Sequence, residues 1–254
     1  MKLSIISDVH IKRPGDEAEK LLLSFLHNPD VLSSDAIILL GDIFDLMVGP
    51  HSQYFARFNT YFKTIKELLE NNKKIYYVPG NHDFHLEYLY KKFFNVHKHL
   101  DASLFQMKSE FIMKDAGKTI YMSHGDDIEL GNSGQKIFKS IVTGPPLTFV
   151  ANYLMPYFLI TAAGEYSSEK SRKRNINRYS QDQDMTEVKK NFRKSAEVYI
   201  ANNPYDIIIL GHSHVQDHYI FEDKFQYVNN GYAQHTQTYI SIDDGNISFK
   251  QLAT

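Results

Sequence analysis

Short, largely apolar runs, each stopping at a polar residue or a glycine, recur along the chain. Residues 3–7 stop at Asp8, residues 36–40 at Gly41-Asp42, and residues 74–78 at Pro79-Gly80-Asn81. Residues 119–123 stop at His124, and residues 206–210 at Gly211-His212. Runs of this length predict strands, the first two buried on both faces. Between them the period changes to that of a helix. Ala18, Leu21, Leu22 and Phe25 predict a helix over 17–27, and Phe55, Phe58, Phe62, Ile65 and Leu69 one over 54–70. A further helix is expected over about 185–201. After His214, alternation through Tyr219, Phe221, Phe225 and Tyr227, then Thr238, Ile240 and Ile242, predicts an antiparallel meander closing a second sheet. The expected class is therefore α/β, in one domain over 1–254. The long interval from His124 to His212 predicts a helical cap inserted over residues 126–203.

The residues just beyond each predicted strand carry the chemistry. The five sites read Asp8-Val9-His10, Gly41-Asp42-Ile43-Phe44-Asp45, Gly80-Asn81-His82-Asp83, His124-Gly125-Asp126 and Gly211-His212-Ser213-His214. In open α/β sheets, sites form beyond the carboxyl ends of strands. One strand ending in glycine and a polar residue is an ordinary loop, whereas five together are not. The Asp8/His10 and His212/His214 spacings predict two side chains on one side of an extended segment. The donors are carboxylate, imidazole and amide, a set suited to borderline-to-hard divalent ions, manganese foremost, with iron or zinc as alternatives. The remaining histidines match no motif; His85 and His235 lie near the same loops.

Composition narrows the partners. The 254 residues are 43% hydrophobic and 23% charged, ordinary for a globular chain. A net charge of -2 supplies no global basic field for nucleic acid. No cysteine is present, so disulfides and thiolate metal sites are excluded. A candidate ligand at Asp8 leaves no room for a signal peptide, which predicts a cytoplasmic protein. Residues 140–164 hold no charged side chain, near the ~20 residues of a membrane span. Pro145, Pro146 and Pro156 interrupt that stretch. A buried or lid helix is the expectation, with peripheral contact at the inner membrane surface as the alternative.

The order and joint presence of the motifs resemble the calcineurin-like metallophosphoesterases over nearly the whole chain. The resemblance implies two packed β-sheets flanked by helices. It also implies one divalent ion held by Asp8, His10, Asp42 and His214, and a second by Asp42, Asn81, His124 and His212, with Asp42 bridging. The reaction implied is attack on phosphorus by a hydroxide between the ions. His82 would be the general acid and Asp45 the carboxylate orienting its ring; Asn81 would help stabilise the developing charge.

Protein Ser/Thr phosphatases of this superfamily carry Arg after the second Asp of the GDxxD motif, where this chain has Leu46. The run from Gly41 to Gly49 is more similar to the UDP-2,3-diacylglucosamine pyrophosphatases of lipid A biosynthesis. The chain departs from them at His82, Asp45 and Met47, where that family usually has Arg, Glu and Trp. The resemblance implies a UDP-sugar lipid substrate. Phe149, Leu154 and Phe158 of the cap would receive acyl chains, and Arg172, Arg174 and Arg178 a diphosphate or an anionic lipid surface. The alternatives are a broad-specificity phosphodiesterase or phosphatase on small nucleotides and a non-enzymatic scaffold.

Overall fold

The computed structural model of the chain describes residues 1–131, 157, 182–222 and 225–252. In chain order the strands are β1 (Lys2–Ile6), β2 (Ala36–Leu40), β3 (Met47–Val48), β4 (Lys74–Val78), β5 (Asp83–Phe84), β6 (Phe105–Met107), β7 (Glu110–Asp115), β8 (Lys118–Ser123), β9 (Ile207–Leu210), β10 (Asp217–Phe221), β11 (Phe225–Asn229), β12 (Thr238–Asp243) and β13 (Asn246–Gln251). The helices are α1 (Glu17–His27), α2 (Pro29–Leu32), α3 (Gln53–Arg57), α4 (Asn59–Glu70), α5 (Glu87–Val96), α6 (Asp182–Ala201) and α7 (Ala233–Thr236).

Two mixed sheets face each other. One has the order β13-β12-β1-β2-β4-β6, the other β10-β11-β9-β8-β7. The largely apolar runs are explained by this arrangement. Leu3, Ile5, Ile38, Leu40, Ile207 and Ile209 point between the sheets and are fully buried there. Their neighbours Ile6, Ile37 and Leu39 face the opposite way, into a core with Leu22 and Phe25 of α1 and Ile65 of α4. Ile208 and Leu210 face outward on the second sheet, under Phe192 and Ala196 of α6. Every residue of β2 and β9 is buried. α6 thus forms a layer of the sandwich, although it lies within the interval expected to be a cap. Phe149, Leu154, Phe158, Arg172, Arg174 and Arg178 lie outside the described residues. Among the described residues, no helix is long and apolar enough to cross a membrane.

Two expectations about the fold are corrected. The meander does not close one sheet. β10 and β11 pair in the second sheet, but β12 crosses back to pair antiparallel with β1 in the first, and β13 pairs beside it. Ile240 and Ile242 fill the inter-sheet core, while Tyr239 turns outward onto Phe25, 5.3 Å between ring centroids. The expected helix over 54–70 is two helices. The break is at Phe58 (φ -108, ψ 43), which is buried against Phe44 at 4.8 Å, while the Arg57 guanidinium donates to the Lys12 carbonyl at 3.1 Å. These tertiary contacts override local helix propensity.

The continuity of the inter-sheet layer makes a measurable demand. Ile209→Ala should destabilise the protein by about 2–5 kcal/mol, since the cavity lies between two sheets that cannot close over it. Denaturant unfolding should show a lower midpoint with an unchanged slope.

Candidate metal centre

The loops leaving β1, β2, β4, β8 and β9 converge at one end of the sandwich. Asp8, His10, Asp42 and His214 bring one donor atom each within 4.8 Å of one another, and so do Asp42, His124 and His212. Asn81 joins the second group, its Oδ1 lying 3.3 Å from His124 Nε2. Asp42 belongs to both. Its Oδ2 stands 3.3 Å from His124 Nε2 and 3.8 Å from His10 Nε2. His214 Nε2 is 3.4 Å from Asp8 Oδ1 and 3.1 Å from His10 Nε2. Donors ~2.1 Å from a common ion are roughly 3.0–3.5 Å apart at octahedral or tetrahedral angles. Most of these spacings match that range, so the residues present fit two divalent ions sharing one carboxylate.

The backbone achieves this convergence differently from the extended segments expected. Asp8, His10, Asp42, His212 and His214 all have positive φ, between 52 and 65 degrees. Non-glycine residues rarely adopt that conformation, and it persists only where surroundings over-determine it. Strict alternation is lost, and the donors are brought together by these left-handed turns. Hydrogen bonds lock the turns. Asp8 Oδ1 accepts the His212 N–H at 3.0 Å, and Asp42 Oδ1 accepts the His82 N–H at 2.9 Å. Gly80 has to be glycine, because a Cβ there would overlap the Asp42 carboxylate.

Asp83, quoted within its motif but given no role by sequence, is the buttress of this arrangement. It is fully buried. Its carboxylate accepts the N–H groups of Asp42 (3.1 Å), Ile43 (2.7 Å) and Gly80 (2.7 Å) and the Tyr77 hydroxyl (2.6 Å). The motif letters give its presence; only folding shows that these donors converge on it, with the Phe44 N–H as a fifth at 3.4 Å.

Electrostatics favours a cation. Burial pushes the Asp8 carboxyl up to about 6, with the Asp42 charge adding to it. Asp42 itself is held well below the carboxylate range: burial opposes its charge, but His124, His82 and His10 outweigh that. Burial pushes His214 down to about 3 and His10 well below its ordinary value, so both rings are neutral, the form that ligates metals. At His124 burial opposes the charged form, yet Asp42, Asp8 and Asp126 hold it well above the ordinary range. Such a proton is one that a bound ion would displace. The His124 Nδ1–H faces the Leu40 carbonyl at 3.1 Å, leaving Nε2 for the site.

His82 lies beside these groups, its ring 5.0 Å from that of His10. Its partner is not the oxygen expected. His82 Nδ1 donates to the main-chain carbonyl of Asp45 at 2.7 Å. The Asp45 carboxylate faces His10 Nδ1 at 3.7 Å and Lys12 Nζ at 3.9 Å instead. Burial opposes protonation of His82, but Asp42, the Asp45 carbonyl and the Asp45 carboxylate raise its pKa above the ordinary value. Tyr232 also lines the site without a sequence signal, backed by His235, which the sequence places near the same loops. Tyr232 stacks on His214 at 5.3 Å, and His235 meets the edge of Tyr232 at 4.7 Å.

Asp83→Asn places an amide N–H2 where only donors point. It should destabilise by about 1–3 kcal/mol for each amide left unsatisfied, and weaken metal uptake because Asp42 loses its anchor. Thermal unfolding with and without Mn2+ checks both. Tyr77→Phe should cost only about 1 kcal/mol.

The calcineurin-like phosphoesterase family model matches residues 1–216. The UDP-2,3-diacylglucosamine hydrolase of Psychromonas ingrahamii is 24% identical over 189 residues, 73% of this chain and 72% of that protein. The protein of the same name from Wigglesworthia glossinidia brevipalpis is 25% identical over 226 residues, 85% of this chain and 80% of that one. A solved structure described as a novel archaeal phosphodiesterase superposes with a TM-score of 0.48 at 14% identity, covering 98% of this chain and 99% of the other. Every strand end that carries a donor falls inside the matched region, so the chain belongs to the calcineurin-like phosphoesterase family and is a phosphoester hydrolase of a class that takes divalent metals.

Proposed function

We propose that the chain hydrolyses the diphosphate linkage of a UDP-sugar lipid such as UDP-2,3-diacylglucosamine. The observation that carries the chemistry is the sharing of Asp42 between two donor groups beside a protonatable His82. The substrate class rests on the name common to the curated relatives. In this reading Asp8, His10, Asp42 and His214 hold one ion, and Asp42, Asn81, His124 and His212 the other, with Mn2+ the foremost candidate. Such a pair supplies an activated water and neutralises phosphoryl charge.

The chain's own groups do the rest. The Asp45 carbonyl can only accept, so it fixes the proton on His82 Nδ1. The proton exchanged in turnover is therefore that on Nε2, given to the departing phosphate oxygen. The Asp45 carbonyl and carboxylate both favour the protonated ring. Asp45 orients His82 through its main chain, and its carboxylate adds negative charge nearby. The Asn81 amide adds a neutral polar group beside the phosphoryl oxygens. The segment holding Phe149, Leu154, Phe158, Arg172, Arg174 and Arg178 would form the lipid and diphosphate subsite, read from sequence as an inserted cap. It would also be the part that touches the inner membrane surface.

Purified protein with Mn2+ should release UMP from UDP-2,3-diacylglucosamine. Turnover of a generic aryl phosphodiester alone would keep the hydrolytic centre and overturn the lipid substrate. His82→Ala should keep its metal and lose about 10²–10⁴-fold in rate, most with poor leaving groups. As an acid, His82 works only below its pKa. Wild-type activity should therefore fall as pH rises through the pKa of His82, and that limb should vanish in His82→Ala.

A further inference from the structure

One carboxylate at the centre belongs to none of the five motifs. Glu129 comes just after the His124-Gly125-Asp126 turn, and its Oε2 lies 3.4 Å from His212 Nε2. Its side chain is 16% exposed and that of His212 12%, so neither is a free surface group. The loop that carries it is held on both sides. The N–H groups of Ile128 and Glu129 both donate to the Gly125 carbonyl at 3.2 Å. Ile128 is buried in the core cluster that contains Phe192 of α6. Leu130 N–H donates to Ser195 Oγ at 3.0 Å, and Asn191 Nδ2 donates to the Leu130 carbonyl at 3.4 Å. A carboxylate flanked by two anchored residues is aimed, not loose.

The other imidazoles show what such an aim achieves. His124 turns Nε2 to Asp42 and Asn81 and gives Nδ1 to the Leu40 carbonyl. His10 turns Nε2 to Asp42 and His214 and keeps Nδ1 toward Asp45. In both, one nitrogen faces the site and the other faces an acceptor of the protein. His212 has Nε2 on Glu129, which leaves Nδ1 as its nitrogen for the ion. Glu129 is also absent from the compact set formed by Asp42, His124 and His212, so it stands behind the ring rather than among the donors.

We propose that Glu129 is the positioning carboxylate of the second metal site: it accepts the Nε2–H of His212, fixes the tautomer with a bare Nδ1, and so sets the affinity for the ion held with Asn81 and His124. Packing adds to the hold on the ring, with Phe192 6.1 Å away and His124 5.3 Å away between centroids. Outer carboxylates of this kind raise the basicity of a ligating imidazole, and their loss weakens metal binding about 10–100-fold. The inference rests on the two-ion reading above.

Two readouts test it without recourse to turnover. Calorimetric titration with Mn2+ should show two ions binding the wild type. In Glu129→Ala one of the two ions should lose about 10–100-fold in affinity while the other is unchanged, and Glu129→Gln, which keeps an uncharged acceptor, should fall between. Nitrogen-15 spectra of the zinc-loaded wild type should show His212 protonated at Nε2 and metallated at Nδ1. The proposal is overturned if Glu129→Ala binds both ions as the wild type does, if both affinities fall together with the unfolding temperature, or if His212 is metallated at Nε2. A wild type that binds fewer than two ions overturns the two-ion reading itself.

Discussion

A single buried carboxylate, Asp42, imposes its requirements on the rest of the molecule. It is nearly inaccessible and still ionised, because three imidazoles and two main-chain constraints surround it. Its own N–H is held by Asp83, its Oδ1 by the His82 N–H, and its Oδ2 faces His124 and His10. A charge at that depth is tolerated only when paired and hydrogen-bonded. The strand ends of both sheets must therefore arrive together: Asp42, His82 and His10 come from the first, His124 from the second. The continuous inter-sheet core sets the distance at which they meet.

The site is built in two tiers. The inner tier is the donors. The outer tier consists of groups that turn each donor the right way: Leu40 O for His124, Asp83 for the Asp42 turn, Asp8 Oδ1 for the His212 turn, and Asn229, whose amide donates to the Gly211 carbonyl at 2.7 Å. Left-handed backbone at five donor residues is strain that this outer tier holds in place. Orientation and affinity at such a centre depend on the second tier as much as on the first. The same holds for His82, whose ring is set by a carbonyl that can accept but never donate.

The order of donors along the chain reflects the topology. β1, β2 and β4 run parallel, as do β8, β9 and β11, so their carboxyl ends open on the same side. The helices between them close the outer faces, α1 and α4 on the first sheet and α6 on the second. The turn after β11 contributes from behind, where Ala233 N–H donates to the Asp8 carbonyl at 3.2 Å and Tyr232 stacks on His214.

By itself the sequence determined the buried strands β1, β2, β4, β8 and β9 and the helix α1, because residues that face apolar surroundings on both sides must themselves be apolar. It determined the donor types, because carboxylate, imidazole and amide at successive strand ends have few other reasons to occur together. Tertiary structure alone decided which sheet receives β12, since alternation records that one face is buried and not what buries it. It alone decided the break at Phe58, where the ring is drawn under Phe44. It also decided that Asp45 meets His82 through its carbonyl, that Asp83 gathers the N–H groups of the Asp42 turn, and that Glu129 meets His212. Those contacts join residues far apart in sequence, and their geometry is fixed by packing between elements, which no local pattern of residues encodes.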